Sequence, residues 1–371
     1  MKGLKLLLAI IITLAVELPA SATIWRVNNN TSVDADYTTI SAAISAASAG
    51  DTIHVEGSST AYSNGLYITK KIVIIGPGFF LDKNDSTQVN KQEARISNYI
   101  YFASGAEGSV LTGIYQNTSS YYTSSYRSGL VVACDSVSIL RNHFLYTYTG
   151  SGSYYSAVQI RNNIDNVSII GNWIVSTYSN NDGLAIRGAT TSILVANNFI
   201  VQSRDYGENS SNTSYRAIRV ENNSNNRITF LNNVIHGSWD MYYCVGLNNI
   251  HVTGSINYSA STSTFYNNIG YNTSLPTGNN NLRSQSMSNV FDRSTNGATT
   301  WHDDDNWWRL KTGSSAIGAG VSGEDCGIYG GALQYNPSGL PAVPAIFDAT
   351  IPATTDKSSG LSIDVSSKSH K

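Results

Sequence analysis

Charge is scarce in this chain. Of its 371 residues only 13% are Asp, Glu, Lys or Arg, and 25 acidic against 23 basic residues leave a formal net charge of −2. With no basic excess to neutralise phosphates, nucleic acid is not the expected partner. Cysteine is nearly absent as well. Cys134, Cys244 and Cys326 are too few and too scattered for a disulfide framework or a zinc site, and Cys134, closing the apolar run LVVAC, reads as a small core residue. Of only seven prolines, four fall from Pro337 onward. Regular Thr-x-Thr columns are missing, which excludes an ice- or mineral-binding face. The one long apolar run, Leu6–Val16, is too short to span a bilayer. Lysines at 2 and 5 precede it, Glu17 and Pro19 end it, and Ala20-Ser21-Ala22 follows. That pattern is a cleavable signal peptide over 1–22, with no cysteine at the cleavage point to take a lipid. The expected mature chain starts near Thr23, outside the cytoplasm (secreted or periplasmic), and has no membrane span.

What the chain has instead is repetition. An apolar stretch, an asparagine and a further apolar pair recur as SILRNHF (138–144), SIIGNWI (168–174), VANNFI (195–200), FLNNVI (230–235) and FYNNI (265–269). The shared asparagines are Asn142, Asn172, Asn198, Asn233 and Asn268, in steps of 30, 26, 35 and 35 residues. Repeats of this length mark stacked units, each burying its face on the next. Alternation of apolar with small polar residues makes the units strands. An asparagine fixed at one point per coil can bond to its copies above and below and hold a sharp turn. The unequal steps place loops of varying length at one corner. Three strands per coil follow, and the fold class expected is all-β, a right-handed parallel β-helix.

Ahead of the repeats, Ile40, Ala43, Ile44 and Ala47 follow helical spacing, Gly50 stops the helix, and Thr52–Val55 begins a strand. A short amphipathic helix there would cap the open end of the stack, whose strand edges would otherwise recruit other chains. The helix, then GDTIHV (50–55), then ITKKIVIIG (68–76), resembles the opening of the pectin-lyase-like β-helix superfamily. RLKTGSSAIGAGVSGEDCGIYGG (309–331) is similar to the closing segment of secreted bacterial β-helix proteins. The domain expectation is therefore a β-helix with its cap over 23–336 and an extended tail over 337–371. The superfamily holds lyases, hydrolases, esterases and non-catalytic adhesins, so the resemblance implies fold more than function.

Overlaying the coils suggests where function sits. In AVQIRN (157–162), GLAIRG (183–188) and RAIRVE (216–221) the pairs Val158/Ile160, Leu184/Ile186 and Ile218/Val220 face inward. Arg161, Arg187 and Arg219 then form an outward column about 4.8 Å apart, starting after Val131, with the turn at Asn222–Asn226 bulged to fit. Stacked like charges need anionic partners, either Asp182, Asp205, Glu208 and Glu221 nearby or a ligand carrying a charge on each unit. Tyrosines crowd the adjoining loops, among them Tyr178, Tyr206 and Tyr215. They suit stacking on sugar rings and equally suit packing on each other to stiffen the loops.

Resemblance to polysaccharide lyases implies β-elimination on uronic acids. Arg187 would be the base, Arg161 and Arg219 the carboxylate clamps, and Asp182, Asp205 and Glu208 the ligands of a Ca2+ cofactor. Asn180-Asn181-Asp182-Gly183 is similar to the Asn-x-Asp-Gly of polygalacturonases, but the Gly-His-Gly and Arg-x-Lys of that family are absent. His143, His236 and His251 are scattered and read as structural. Asp303-Asp304-Asp305 reads as a solvated turn before Trp307 and Trp308, with calcium binding the alternative. The expected function is a monomeric secreted protein that binds an acidic polysaccharide, with cleavage implied by the resemblance. The alternative is a non-catalytic surface or adhesion protein.

Overall fold

The structure is a computed structural model. It describes residues 22–371 except 85–86, 124–126, 150–154, 179–180, 203–215, 294–303, 351, 353–359 and 370–371. Each repeat supplies one strand to each of three parallel sheets, which stack into a β-helix, the fold expected from the sequence. The A sheet has ten strands from Ile24–Val27 to Thr264–Tyr266, and the B and C sheets have eight each. Inward residues of all three form one continuous core, in which Ile139, Ile169, Val195, Phe230 and Phe265 are stacked members.

Helix α1 (Ile40–Ala46) begins at Thr39, whose Oγ1 accepts the Ala42 N–H at 3.2 Å. It buries Ile40, Ala43 and Ile44 and contacts Ile24–Val27, Thr52–Val55 and Leu66–Ile68, the strands at the open end of the stack. The edge that would template another chain is thereby covered.

The turn from the A sheet to the B sheet explains the repeated asparagines. Asn172 Oδ1 accepts both the backbone N–H and the Nδ2–H of Asn142, at 2.9 and 3.0 Å. Asn172 Nδ2 donates in turn to Asn198 Oδ1 at 2.9 Å and to the Ile139 carbonyl at 2.8 Å. The pattern continues through Asn233, Asn249, Asn268 and Asn281. From Asn142 to Asn268 every amide is therefore buried and is both donor and acceptor. Asn249 corrects the expected spacing. The last step of 35 is two coils, of 16 and 19 residues, because these coils have no long loop between the B and C sheets.

The residue before each stacked asparagine is left-handed: Arg141, Asn197, Asn232, Asn248 and Asn267 have φ between 53° and 57°. Asn tolerates that region better than other non-glycine residues, which accounts for the Asn-Asn pairs. At the same position stands Gly113, where an added Cβ would lie 2.5 Å from the Gly76 carbonyl oxygen.

These left-handed side chains point outward and hold a strap. Asn267 Nδ2 donates to Ala319 O (2.8 Å), Asn248 Oδ1 accepts from Val321 N (2.9 Å), and Asn232 Nδ2 donates to Asp325 O (3.0 Å). Asn197 Nδ2 reaches Ile328 O and Gly330 O, and Arg141 reaches Leu340 O. Residues 319–340 thus run back along the solenoid and close a second core over the B sheet. Trp173, Phe199, Val234, Ile250 and Ile269 pack there against Phe291, Trp308, Ile328 and Tyr335. Asp305 anchors this layer. It is fully buried and accepts from Asn84 Nδ2 (2.8 Å), the Tyr335 hydroxyl (3.1 Å) and Ser338 N (2.6 Å). Asp304 caps the following turn through Asn306 N. The reading of a solvated turn is overturned by this burial; Asp303 lies outside the described residues. Beyond the strap, Pro344–Thr350 and Asp364–Ser369 pair as an antiparallel hairpin.

Candidate functional site

The outer face of the C sheet collects most of the residues singled out above. Its central row, read from strand pairing, runs Tyr67, Tyr101, Val131, Gln159, Ala185, Arg219, Asp240 and Asn257. At about 4.8 Å per strand this row is roughly 34 Å long, and its middle members Val131, Gln159 and Ala185 are buried. It changes character along its length, from aromatic, through small or neutral residues, to ionic.

The three-arginine column does not form. Leu184 pairs with Ile218 and Ile186 with Val220, so Arg219 stands beside Ala185, two residues away from the row of Arg187. The inward pairs were assigned correctly, but the outward residues of the third coil were placed one pleat off. Arg161 and Arg187 do occupy one row, behind Ala133 and ahead of Glu221, as successive backbone bonds to Val132, Ile160 and Ile186 require. Val131 belongs to the Gln159 row instead.

Arg187 and Arg219 nonetheless meet, at Asp182. That carboxylate is 3% exposed, and its Oδ2 lies 2.9 Å from Arg219 Nε and 3.5 Å from an Arg187 terminal nitrogen. Arg187, 5% exposed, also reaches Glu221 at 3.2 Å. Arg216 pairs with Asp240 at 2.6 Å, and Asn257 Nδ2 donates to Asp240 at 2.7 Å. Burial pushes the Asp182 carboxyl up to about 6, against the pull of Arg219, Arg187 and Arg216, while Asp240 adds to the rise. Burial lowers the pKa of Arg187, and Asp182 opposes that shift.

Asp182, the one expected calcium ligand among the described residues, does not fit that role. A hard cation seeks several free oxygens, whereas Oδ2 of the buried Asp182 is already shared by two guanidiniums and a third lies close by. Asp205 and Glu208 lie outside the described residues. Among the described residues no group of three or more His, Cys, Asp or Glu converges as a metal site.

Tyrosines line the aromatic end and the loops. Tyr67 stacks on Tyr101 at 5.3 Å, and Tyr122 leans on both at 5.1 and 4.8 Å. Tyr67 and Tyr101 were missed from the sequence, although alternation in LYI (66–68) and IYF (100–102) turns both rings outward. Tyr148 stacks on Tyr155 at 4.5 Å, and Arg127 lies 5.2 Å over the Tyr155 ring. Tyr178 is half-buried in the loop after Trp173–Ser176, where its carbonyl accepts from Gln202 Nε2 at 2.8 Å. Tyr206 and Tyr215 lie outside the described residues. The histidines are packed away from this face. His143 stacks on Tyr115 at 4.5 Å, and His251 donates from Nε2 to the Gly237 carbonyl at 3.1 Å, its pKa lowered by burial to about 4.

No protein-family model and no curated protein sequence matches the chain. Several solved structures resemble it in architecture. Pectate lyase Pel9A is 13% identical, with a TM-score of 0.44 over 83% of this chain and 96% of that one. A pectin methylesterase in complex with a hexasaccharide is 14% identical, with a TM-score of 0.40 over 72% and 94%. A rhamnogalacturonan lyase is 13% identical, with a TM-score of 0.35 over 79% and 97%. Likeness at this level bears on the fold alone. No helix among the described residues is long and apolar enough to cross a membrane. The chain is a parallel β-helix protein whose outer C-sheet face carries a buried arginine–carboxylate cluster.

Proposed function

We propose that the protein is secreted and binds an acidic polysaccharide along the outer face of the C sheet. The observation carrying this reading is the single row running from the Tyr67–Tyr101 stack to Arg219. Tyrosine rings suit the apolar faces of sugars, and planar guanidiniums suit their carboxylates. A polymer reaching from the exposed Tyr67 to Arg219 would span about five strand spacings, roughly 24 Å, and would pass over the buried Val131, Gln159 and Ala185. Arg161 and Arg219 are the carboxylate contacts in this reading, and Tyr178 lies at the loop margin. Low net charge on the chain makes recognition depend on these local groups and not on a long-range field.

A lyase step is the second reading, favoured by one observation. Burial lowers the pKa of Arg187, the direction a base acting on the acidic sugar C–H requires. Against it, Asp182 and Glu221 both hold that guanidinium protonated. Incubation with pectate, alginate and glycosaminoglycans, following absorbance from new unsaturated ends, decides between the two. Binding with no new absorbance on any uronan would remove the lyase step and leave a non-catalytic binder or adhesin. Failure to bind any of them would remove the proposed function altogether.

A further inference from the structure

Among the described residues, the charged groups around Asp182 are linked by ion pairs. Arg187 and Arg219 converge on one of its oxygens from neighbouring coils, Arg216 is held by Asp240, and Arg187 is shared with Glu221. Three guanidiniums thus face three carboxylates, and Arg161 stands one strand before Arg187 in its row. Paired in this way, Arg219 and Arg187 offer little to an incoming anion. The solvent edge of the cluster is formed by Arg216, Glu221 and Arg219, whose side chains are 39%, 40% and 20% exposed.

Resting on the proposed polysaccharide function, we propose that this cluster is a metal-free receptor for a sugar carboxylate, and that Asp182 is its resting occupant. A uronate carboxylate arriving from the Arg216 side takes over the Arg219 contact, and Asp182 gives it up. The two carboxylates are chemical equivalents, each a planar pair of acceptors for a guanidinium. Two ionised carboxylates cannot both sit against Nε of Arg219, the atom that Asp182 faces, without strong repulsion. Exchange therefore goes with loss of the Asp182 charge, by uptake of one proton. Burial has already moved this carboxyl toward that state, up to about 6. Calcium has no part in the exchange, since the neutralising charge comes from arginine.

The test measures affinity for a defined oligogalacturonate by calorimetry, in EGTA and in calcium, at pH 5 and pH 8. Wild type should bind about tenfold more tightly for each pH unit below 8 until about 6, with uptake approaching one proton per ligand at pH 8. Calcium should make no difference. Asp182→Asn should bind more tightly than wild type at pH 8 and lose the pH dependence. Arg219→Ala should lose at least tenfold at both pH values. Should Asp182→Asn fail to fold, proton uptake by wild type in two buffers of different ionisation enthalpy gives the same answer. Binding without proton uptake and without pH dependence overturns the exchange but leaves the polysaccharide function standing. Binding that requires calcium overturns the metal-free receptor. Absence of binding at every pH overturns the polysaccharide function and the exchange with it.

Discussion

At the scale of single residues, burial and hydrogen-bond bookkeeping decide what each asparagine and carboxylate does. Asn198 donates through Nδ2 to Asn233 Oδ1 and the Ile169 carbonyl, and its own Oδ1 accepts twice from Asn172. Replacing it with alanine strands buried groups on both neighbours. Asn198→Ala should therefore cost on the order of 3 kcal/mol or more in urea unfolding, well above an exposed substitution. A loss below about 1 kcal/mol would mean the stack is dispensable. Asp182 carries a pH signature. Its folded pKa, about 6, exceeds the ordinary 3.8, so its contribution to stability is complete below 3.8 and is lost as pH rises through about 6. His251 works in the opposite sense. Its pKa is lowered from 6.5 to about 4, so its contribution holds above 6.5 and is lost as pH falls through 4. The wild-type Tm minus that of Asp182→Asn should thus fall between pH 4 and pH 6.5. A flat difference would contradict the buried, strained state of that carboxyl.

At the scale of elements, the coil corner is where sequence and structure part. The strands, helix α1 and the stacked asparagines were readable because apolar periodicity and a repeated polar residue both survive in one dimension. The inward pairs Leu184/Ile186 and Ile218/Val220 were legible for the same reason. The outward arginines were not, since a slip of one pleat keeps the alternation and changes only the neighbour. Asn249 escaped because its coil, 16 residues from Asn233, lacks the loop that set the apparent period. The first asparagine of each pair adopts a positive φ and holds the strap, a role that no periodicity signals. Asn232→Gly should keep the turn and lose the strap bond, costing about 1 kcal/mol. Asn232→Ala should cost more, because the left-handed backbone is then strained as well. Equal losses in chemical denaturation would show that backbone strain plays no part there.

At the scale of the whole molecule, two cores share one wall. The B sheet has the solenoid interior on one face and the strap layer on the other, so its strands are apolar on both sides. That is why Trp173 and Phe199, outward by pleat, are fully buried. With the A–B corner taken by the strap, the C sheet is the face where ionic and aromatic side chains gather in register. Binding through guanidiniums at its edge should weaken as salt shortens the screening length from about 10 Å at 0.1 M to about 3 Å at 1 M. Affinity that holds constant over that range would point to the tyrosines alone.

The most direct measurement compares oligogalacturonate affinity of wild type, Arg219→Ala and Arg227→Ala, the last an exposed arginine outside the C sheet. Arg219→Ala should lose at least tenfold while Arg227→Ala stays within twofold of wild type. Equal affinity in all three proteins would contradict the outer C-sheet face as the binding surface.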